Sequence, residues 1–185
     1  MSGRRLVTSR PFSNAAFVRS TPTKELSIRK RTIFAAALGA AAFAAAAARG
    51  LSRRFAVVDQ SMRPALEHGD WMMAQRRRAD PARGDVVVFS IEPDVYLIKR
   101  VIGLPGEHIA ISDGQVHIDG QTLAEPWANG PTFPDADDHI PEDAVWVLGD
   151  NRALSSADSR TTGPVAIESI GWKAVAVYWP SARMV

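Results

Sequence analysis

The sequence has 185 residues, 46% of them hydrophobic and 23% charged, which fits one domain with appendages and excludes a wholly disordered chain. It contains no cysteine, so disulfide frameworks, thiolate metal sites and cysteine nucleophiles are excluded. The net charge of +2 hides an asymmetry: residues 1–31 carry eight Lys or Arg against Glu25, and the other 154 residues sum to −5. The basic balance belongs to a tail rather than to a folded face, which argues against nucleic acid as a partner. No two of the four histidines, His68, His108, His117 and His139, stand at i, i+3 or i+4, which argues against a histidine metal site.

Residues 1–31 lack hydrophobic periodicity and are rich in Ser, Thr and Arg, the composition of a disordered cytoplasmic tail. Ile33 to Ala48 then runs for sixteen residues without a charge, eleven of them alanine, between basic flanks. As a helix this run spans about 24 Å, short of a hydrocarbon core of about 30 Å. Snorkelling by Lys30, Arg31 and Arg49 with local thinning of the bilayer would close the gap. Three readings compete: a transmembrane anchor over residues 32–51, the apolar region of a cleaved signal peptide, and a soluble alanine-rich helix. The anchor is the preferred one, because an all-round apolar helix has no place in so small a domain. The preceding basic residues favour an N-terminus inside.

From residue 52 to 185 the texture changes to short β-like runs punctuated by Gly, Pro and Asp. Strands are expected at Phe55–Val58, Trp71–Gln75, Asp85–Phe89, Val95–Ile102, His108–Ser112, Gln115–Ile118, Ala144–Leu148 and Gly171–Tyr178. Asp113-Gly114 is a strong two-residue hairpin signal, and Asp119-Gly120 marks another turn. The expected fold is mainly β, an antiparallel sheet domain behind an N-terminal transmembrane helix. Helix is expected only as short pieces near Ser61 and Ala166–Ser169. Residues 124–142, rich in proline and acid, look like a surface excursion.

Without cysteine or clustered histidine, hydrolysis would fall to Ser, Thr, Lys, Asp or Glu. Strand alternation puts Lys99 on one face with Leu97 and Val101, the polar member of an apolar set. Burial there would lower the amine's pKa; a fall from about 10.4 to about 8 takes roughly 3 kcal/mol and would leave a general base near neutral pH. On periodicity alone, a strand lysine that snorkels to water is the ordinary outcome. Ser61, in Asp59-Gln60-Ser61-Met62-Arg63-Pro64, follows a strand and precedes a proline-marked turn, where its hydroxyl could project. A lone loop serine is ordinarily a cap or a solvated hydroxyl.

Four blocks then occur in one order: Ser61-Met62-Arg63-Pro64, Arg83-Gly84-Asp85-Val86-Val87-Val88-Phe89, Lys99 to Glu107, and Gly149-Asp150-Asn151-Arg152 running on to Ser156-Ala157-Asp158-Ser159-Arg160. This order resembles bacterial type I signal peptidase, a membrane-anchored serine protease with a Ser/Lys dyad, over roughly Val57 to Pro180. The resemblance implies Ser61 as nucleophile and oxyanion donor through its backbone N–H, Lys99 as general base, and no metal or organic cofactor. It implies that Ser156 orients the lysine and that Asp158 and Arg160 form an ion pair near the site. Gly149, Asp150 and Asn151 would form the adjoining turn. Met62 would pack near the substrate pocket, with Pro64, Arg100 and Ser159 structural neighbours. The implied partners are signal-peptide-bearing precursors, the lipid bilayer and the export machinery. The implied setting is the bacterial cytoplasmic membrane, with a single pass and the peptidase domain outside.

Two departures stand out. Some relatives carry a serine two residues before the nucleophile that completes the oxyanion hole; here that residue is Asp59. Three residues, Ala153-Leu154-Ser155, separate Arg152 from Ser156 where two are usual, so Ser155 and Ser156 both compete to meet the lysine. The downstream register favours Ser156. Alternatives within the enzyme class are a mitochondrial-type inner-membrane peptidase and a specialised single-substrate peptidase. Outside that class stands a non-catalytic, membrane-anchored β domain that binds precursors.

Overall fold

A computed structural model of the protein describes residues 44–45, 49–93 and 95–185. The basic tail and most of the apolar segment expected as an anchor lie outside the described residues. Among the described residues, no helix is long and apolar enough to cross a membrane.

The chain from residue 52 is built almost wholly of strands: β1 (Ser52–Ala56), β2 (Trp71–Arg76), β3 (Val86–Glu92), β4 (Val95–Gly103), β5 (His108–Ser112), β6 (Gln115–Ile118), β7 (Gln121–Thr122), β8 (Ala136–His139), β9 (Ala144–Leu148), β10 (Val165–Ala166), β11 (Ile170–Trp179) and β12 (Arg183–Met184). One short helix, α1 (Ser159–Thr162), and a 3-10 turn at Ile167–Ser169 interrupt them. A large sheet has the order β1-β2-β11-β3-β4-β9-β10, with β12 on β11; a small sheet has the order β7-β6-β5-β8. Strand pairing is antiparallel in both sheets.

Alternation explains how the large sheet is held. Along β3, Val86 and Val88 enter one apolar cluster with Met62, Leu66 and Met72, whereas Val87 and Phe89 enter another with Val101, Val145 and Val147. The sheet is thus covered on both faces, and each fully buried aliphatic side chain contributes about 1.5–3 kcal/mol of transfer free energy. The small sheet buries one face only: Ile109, Ile111, Val116 and Ile118 point inward toward Trp146 and Leu148, while His108, Ala110 and His117 stay partly open. At both expected turns the two central residues have positive φ: Asp113 at 53° with Gly114 at 75°, and Asp119 at 50° with Gly120 at 77°. That pair of left-handed residues is what a two-residue hairpin loop demands.

The structure departs from expectation in several places. The first strand begins at Ser52 and ends at Ala56, because it is an edge strand that tolerates the exposed Arg53 and Arg54. The acidic stretch 124–142 contains β8, which pairs with β5, so it is part of the small sheet rather than a free excursion. Its residues Asp137 and Asp138 give no apolar alternation from which a strand could be read. Strand β11 carries two register shifts against β2, which blur its sequence period.

Candidate active site

Two buried apolar side chains hold Ser61 in place. Met62 (1% exposed) and Leu66 (0%) enter the core beneath the turn, and the Leu66 amide donates to the Met62 carbonyl at 2.9 Å. The Ser61 carbonyl accepts from the Asn151 amide at 2.9 Å, and the Asn151 side chain donates to the Gln60 carbonyl at 3.3 Å. The Gly149–Arg152 turn therefore grips the serine loop through its backbone. A Cβ added at Gly149 would run into the Ser155 side chain and come within 2.7 Å of the Ser61 carbonyl oxygen, so this close approach requires glycine.

Lys99 reaches Ser61 from the middle of β4, where it lies opposite Val87 of β3. Its side chain is buried (1% exposed), and Nζ stands 2.8 Å from Ser61 Oγ. Burial lowers the pKa of this amine from its ordinary value; the carboxylates of Asp59, Asp158 and Asp150 pull upward, and the Arg160 guanidinium adds to the lowering. No carboxylate forms a salt bridge with Lys99 among the described residues, so the penalty for a buried ammonium prevails.

The neighbouring charges are arranged differently. Arg100 donates from Nε and Nη2 to the two Asp150 carboxylate oxygens at 2.8 and 2.6 Å, donates to the Gly84 carbonyl at 2.7 Å and stacks on Trp127. Burial pushes the Asp150 carboxyl above its usual range against that pull. Asp158 is the N-cap of α1 and is held by Arg160 at 2.9 and 2.8 Å, by Ser155 Oγ at 2.6 Å and by the Gly149 amide at 3.2 Å. Burial opposes its ionisation, but these hydrogen bonds prevail and hold the carboxyl below the usual range. Ser159 accepts from the Val147 amide at 2.9 Å and fastens α1 to β9. Arg152 is buried against Glu125, at 2.5 Å, and ties residues 124–142 to the site. This ion pair had no local sequence signal, since its partners lie 27 residues apart.

Ser156 is not where the sequence register suggested. It is exposed, and its backbone carbonyl accepts from Thr161 Oγ1. Ser155 is the buried serine; it abuts Gly149 and bonds Asp158. Ala153 and Leu154 are exposed, and the next residue, Ser155, turns inward. Pro64 is exposed beside the turn. Trp71 is 45% exposed, whereas its neighbour Met72 is core. Asp59 turns toward the serine: its carboxylate accepts from Ser61 Oγ at 3.0 and 3.1 Å and from the Ser61 amide at 3.3 Å.

A buried lysine hydrogen-bonded to a serine, with structural ion pairs around it, is the equipment of an activated nucleophile. The family model described as signal peptidase, peptidase S26, matches residues 30–179. The chain is 36% identical over 143 residues to signal peptidase I of Leptolyngbya laminosa, covering 69% of each chain. It is 34% identical over 139 residues to a probable signal peptidase I-2 of Synechocystis sp., covering 69% of this chain and 63% of that one. To signal peptidase I of Bacillus caldolyticus it is 33% identical over 144 residues, covering 68% of this chain and 79% of that one. A crystal structure of a signal peptidase I from Enterococcus faecalis V583 aligns with a TM-score of 0.45 and 30% identity, over 52% of this chain and 98% of that one. The matched stretch takes in both Ser61 and Lys99 and the turn that grips them, and the chain belongs to the signal peptidase, peptidase S26 family.

Proposed function

We propose that this protein is a membrane-bound serine endopeptidase that removes N-terminal signal peptides from exported precursors, cutting after small residues in Ala-x-Ala sites. The observation that carries the reading is the 2.8 Å contact between Ser61 Oγ and the Nζ of a buried lysine that has no salt-bridging carboxylate among the described residues. In its neutral form Lys99 accepts the Ser61 hydroxyl proton as Oγ attacks the scissile carbonyl, and the carbonyl π electrons move to the oxygen. The Ser61 amide donates to that oxyanion. Collapse of the adduct breaks the C–N bond, and the Lys99 ammonium returns its proton to the leaving amine. Lys99 then takes a proton from water as the water oxygen attacks the ester carbonyl; collapse of this second adduct breaks the acyl C–Oγ bond, and the Lys99 ammonium returns the proton to Ser61 Oγ. These steps need no metal or organic cofactor.

The precursor binds as an extended strand, with main-chain hydrogen bonds for affinity and shallow pockets for alternate side chains. The family match begins at residue 30 and so takes in the alanine-rich run, which supports an anchor over residues 32–51. In this reading the tail 1–31 is cytoplasmic, the domain 52–185 lies outside the cytoplasmic membrane, and the export machinery delivers the precursors.

The test is cleavage of a precursor with an Ala-x-Ala site by detergent-solubilised protein across pH. Cleavage after the second alanine should vanish in Ser61→Ala and in Lys99→Ala. In the wild type it should rise as pH climbs through a Lys99 pKa below the ordinary lysine value, because the neutral amine is the active form. Unchanged cleavage in either variant would overturn the dyad. A peptide that binds and is never cut would indicate a binding module.

A further inference from the structure

The carboxylate of Asp59 occupies groups that the reaction needs. It accepts the hydroxyl proton of Ser61, at 3.0 and 3.1 Å, and the backbone proton of Ser61, at 3.3 Å. Resting on the Ser61–Lys99 reading above, we propose that Asp59 is a positioning residue that holds Ser61 disarmed, and that an extended precursor segment arms the site by displacing its carboxylate.

The argument is a proton count. Ser61 has one hydroxyl proton and Asp59, when ionised, has none to give. With Lys99 charged, Nζ–H donates to Oγ and the hydroxyl proton points to Asp59, so all three groups are satisfied. For neutral Lys99 to act as the base, the hydroxyl must donate to Nζ instead, and its lone pairs then face carboxylate oxygens 3.0 Å away. Asp59 therefore favours the arrangement in which the lysine is charged and the serine cannot be deprotonated. It also fills the amide that would receive the oxyanion. Withdrawal of one side chain frees the amide, redirects the hydroxyl proton and weakens the amine's hold on its own proton.

The charges facing Lys99 show why this role falls to Asp59. They are the carboxylates of Asp59, Asp158 and Asp150 and the guanidinium of Arg160. Asp158 is locked by Arg160, Ser155 and the Gly149 amide, and Asp150 by Arg100. Among the described residues, the Asp59 carboxylate bonds only to Ser61. The residue is exposed, on a loop at the mouth of the site, so its side chain is free to rotate into solvent.

The test compares full-length wild type with Asp59→Asn, Ser61→Ala and Lys99→Ala in detergent micelles, measuring kcat/KM on an Ala-x-Ala precursor from pH 5 to 10, with thermal unfolding alongside. Asn keeps the shape and removes the charge. Asp59→Asn should raise kcat/KM at pH 7 by about three- to tenfold and move the acid limb of the profile to lower pH, because a carboxylate this close favours the ammonium. Thermal unfolding should stay at the wild-type temperature, and both dyad variants should be inactive. An Asp59→Asn rate at or below wild type, or an unmoved acid limb, overturns the inference while leaving the dyad intact if Ser61→Ala and Lys99→Ala are dead. Activity retained in either dyad variant overturns both readings together.

Discussion

Lys99 and Arg100 are neighbours in one strand, both buried, and alternation sends them to opposite faces of the large sheet. On one face the guanidinium of Arg100 is matched by the bidentate carboxylate of Asp150, a carbonyl and an indole. On the other, the Lys99 amine meets a hydroxyl and, among the described residues, no salt-bridging carboxylate. The contrast teaches that burial by itself does not make a charge functional. A buried cation with a fixed partner is structural, because its proton stays put. One that lacks a salt-bridge partner has its pKa lowered by burial, and under the proposed mechanism that is what lets it give up and take back a proton.

That comparison can be broken at Lys99 first. Lys99→Arg keeps the positive charge and removes the ability to lose a proton. Precursor cleavage should fall by at least about 10³-fold at every accessible pH, the kind of loss that follows when a nucleophile loses its base. A variant that still cleaves would mean that the lysine acts as a fixed charge, as Arg100 does.

On the paired face the expected effect is on stability. Arg100→Met leaves the buried Asp150 carboxylate without its ion-pair partner, which should cost about 3–5 kcal/mol in denaturant unfolding. A smaller loss would show that Asp150 takes up a proton when its partner is removed, a plausible escape given that burial already raises its pKa.

The smallest expected effect sharpens the difference between two adjacent serines. Ser155→Ala removes the 2.6 Å bond to Asp158 beside the grip on Ser61 and should lower kcat/KM about tenfold, the worth of one hydrogen bond to a charged group. Ser156→Ala, at an exposed position, should stay within about twofold. The reverse ranking would restore Ser156 as the serine that orients the site.

Much of the fold was legible because its signals are local. Ile109, Ile111, Val116 and Ile118 alternate on either side of Asp113-Gly114, and the small sheet's hairpin follows from that pattern and from two residues at positive φ. β8 was not legible, since Ala136–His139 carries acids where a half-buried strand usually alternates; its place comes from pairing with β5. The buried Arg152–Glu125 pair was equally hidden. For the site, the residue types and order of the motifs named Ser61 and Lys99, but the register across the insertion pointed to Ser156. Which serine turns inward depends on how Ala153 and Leu154 loop into solvent, and no spacing rule encodes that.

The sequence by itself determined the β character of residues 52–185, the hairpin turns, the absence of thiol chemistry and the set of residues from which a hydrolytic site could be assembled. Tertiary structure alone decided that Lys99 meets Ser61 across a separation of 38 residues, that Ser155 rather than Ser156 is buried beside them, and that Asp59 turns its carboxylate onto the serine. The reason is physical. Turns and alternation are set by forces between residues a few positions apart, whereas the basicity of an amine and the direction of a hydroxyl proton depend on which groups a folded chain brings within about 3 Å and how much water it removes from around them.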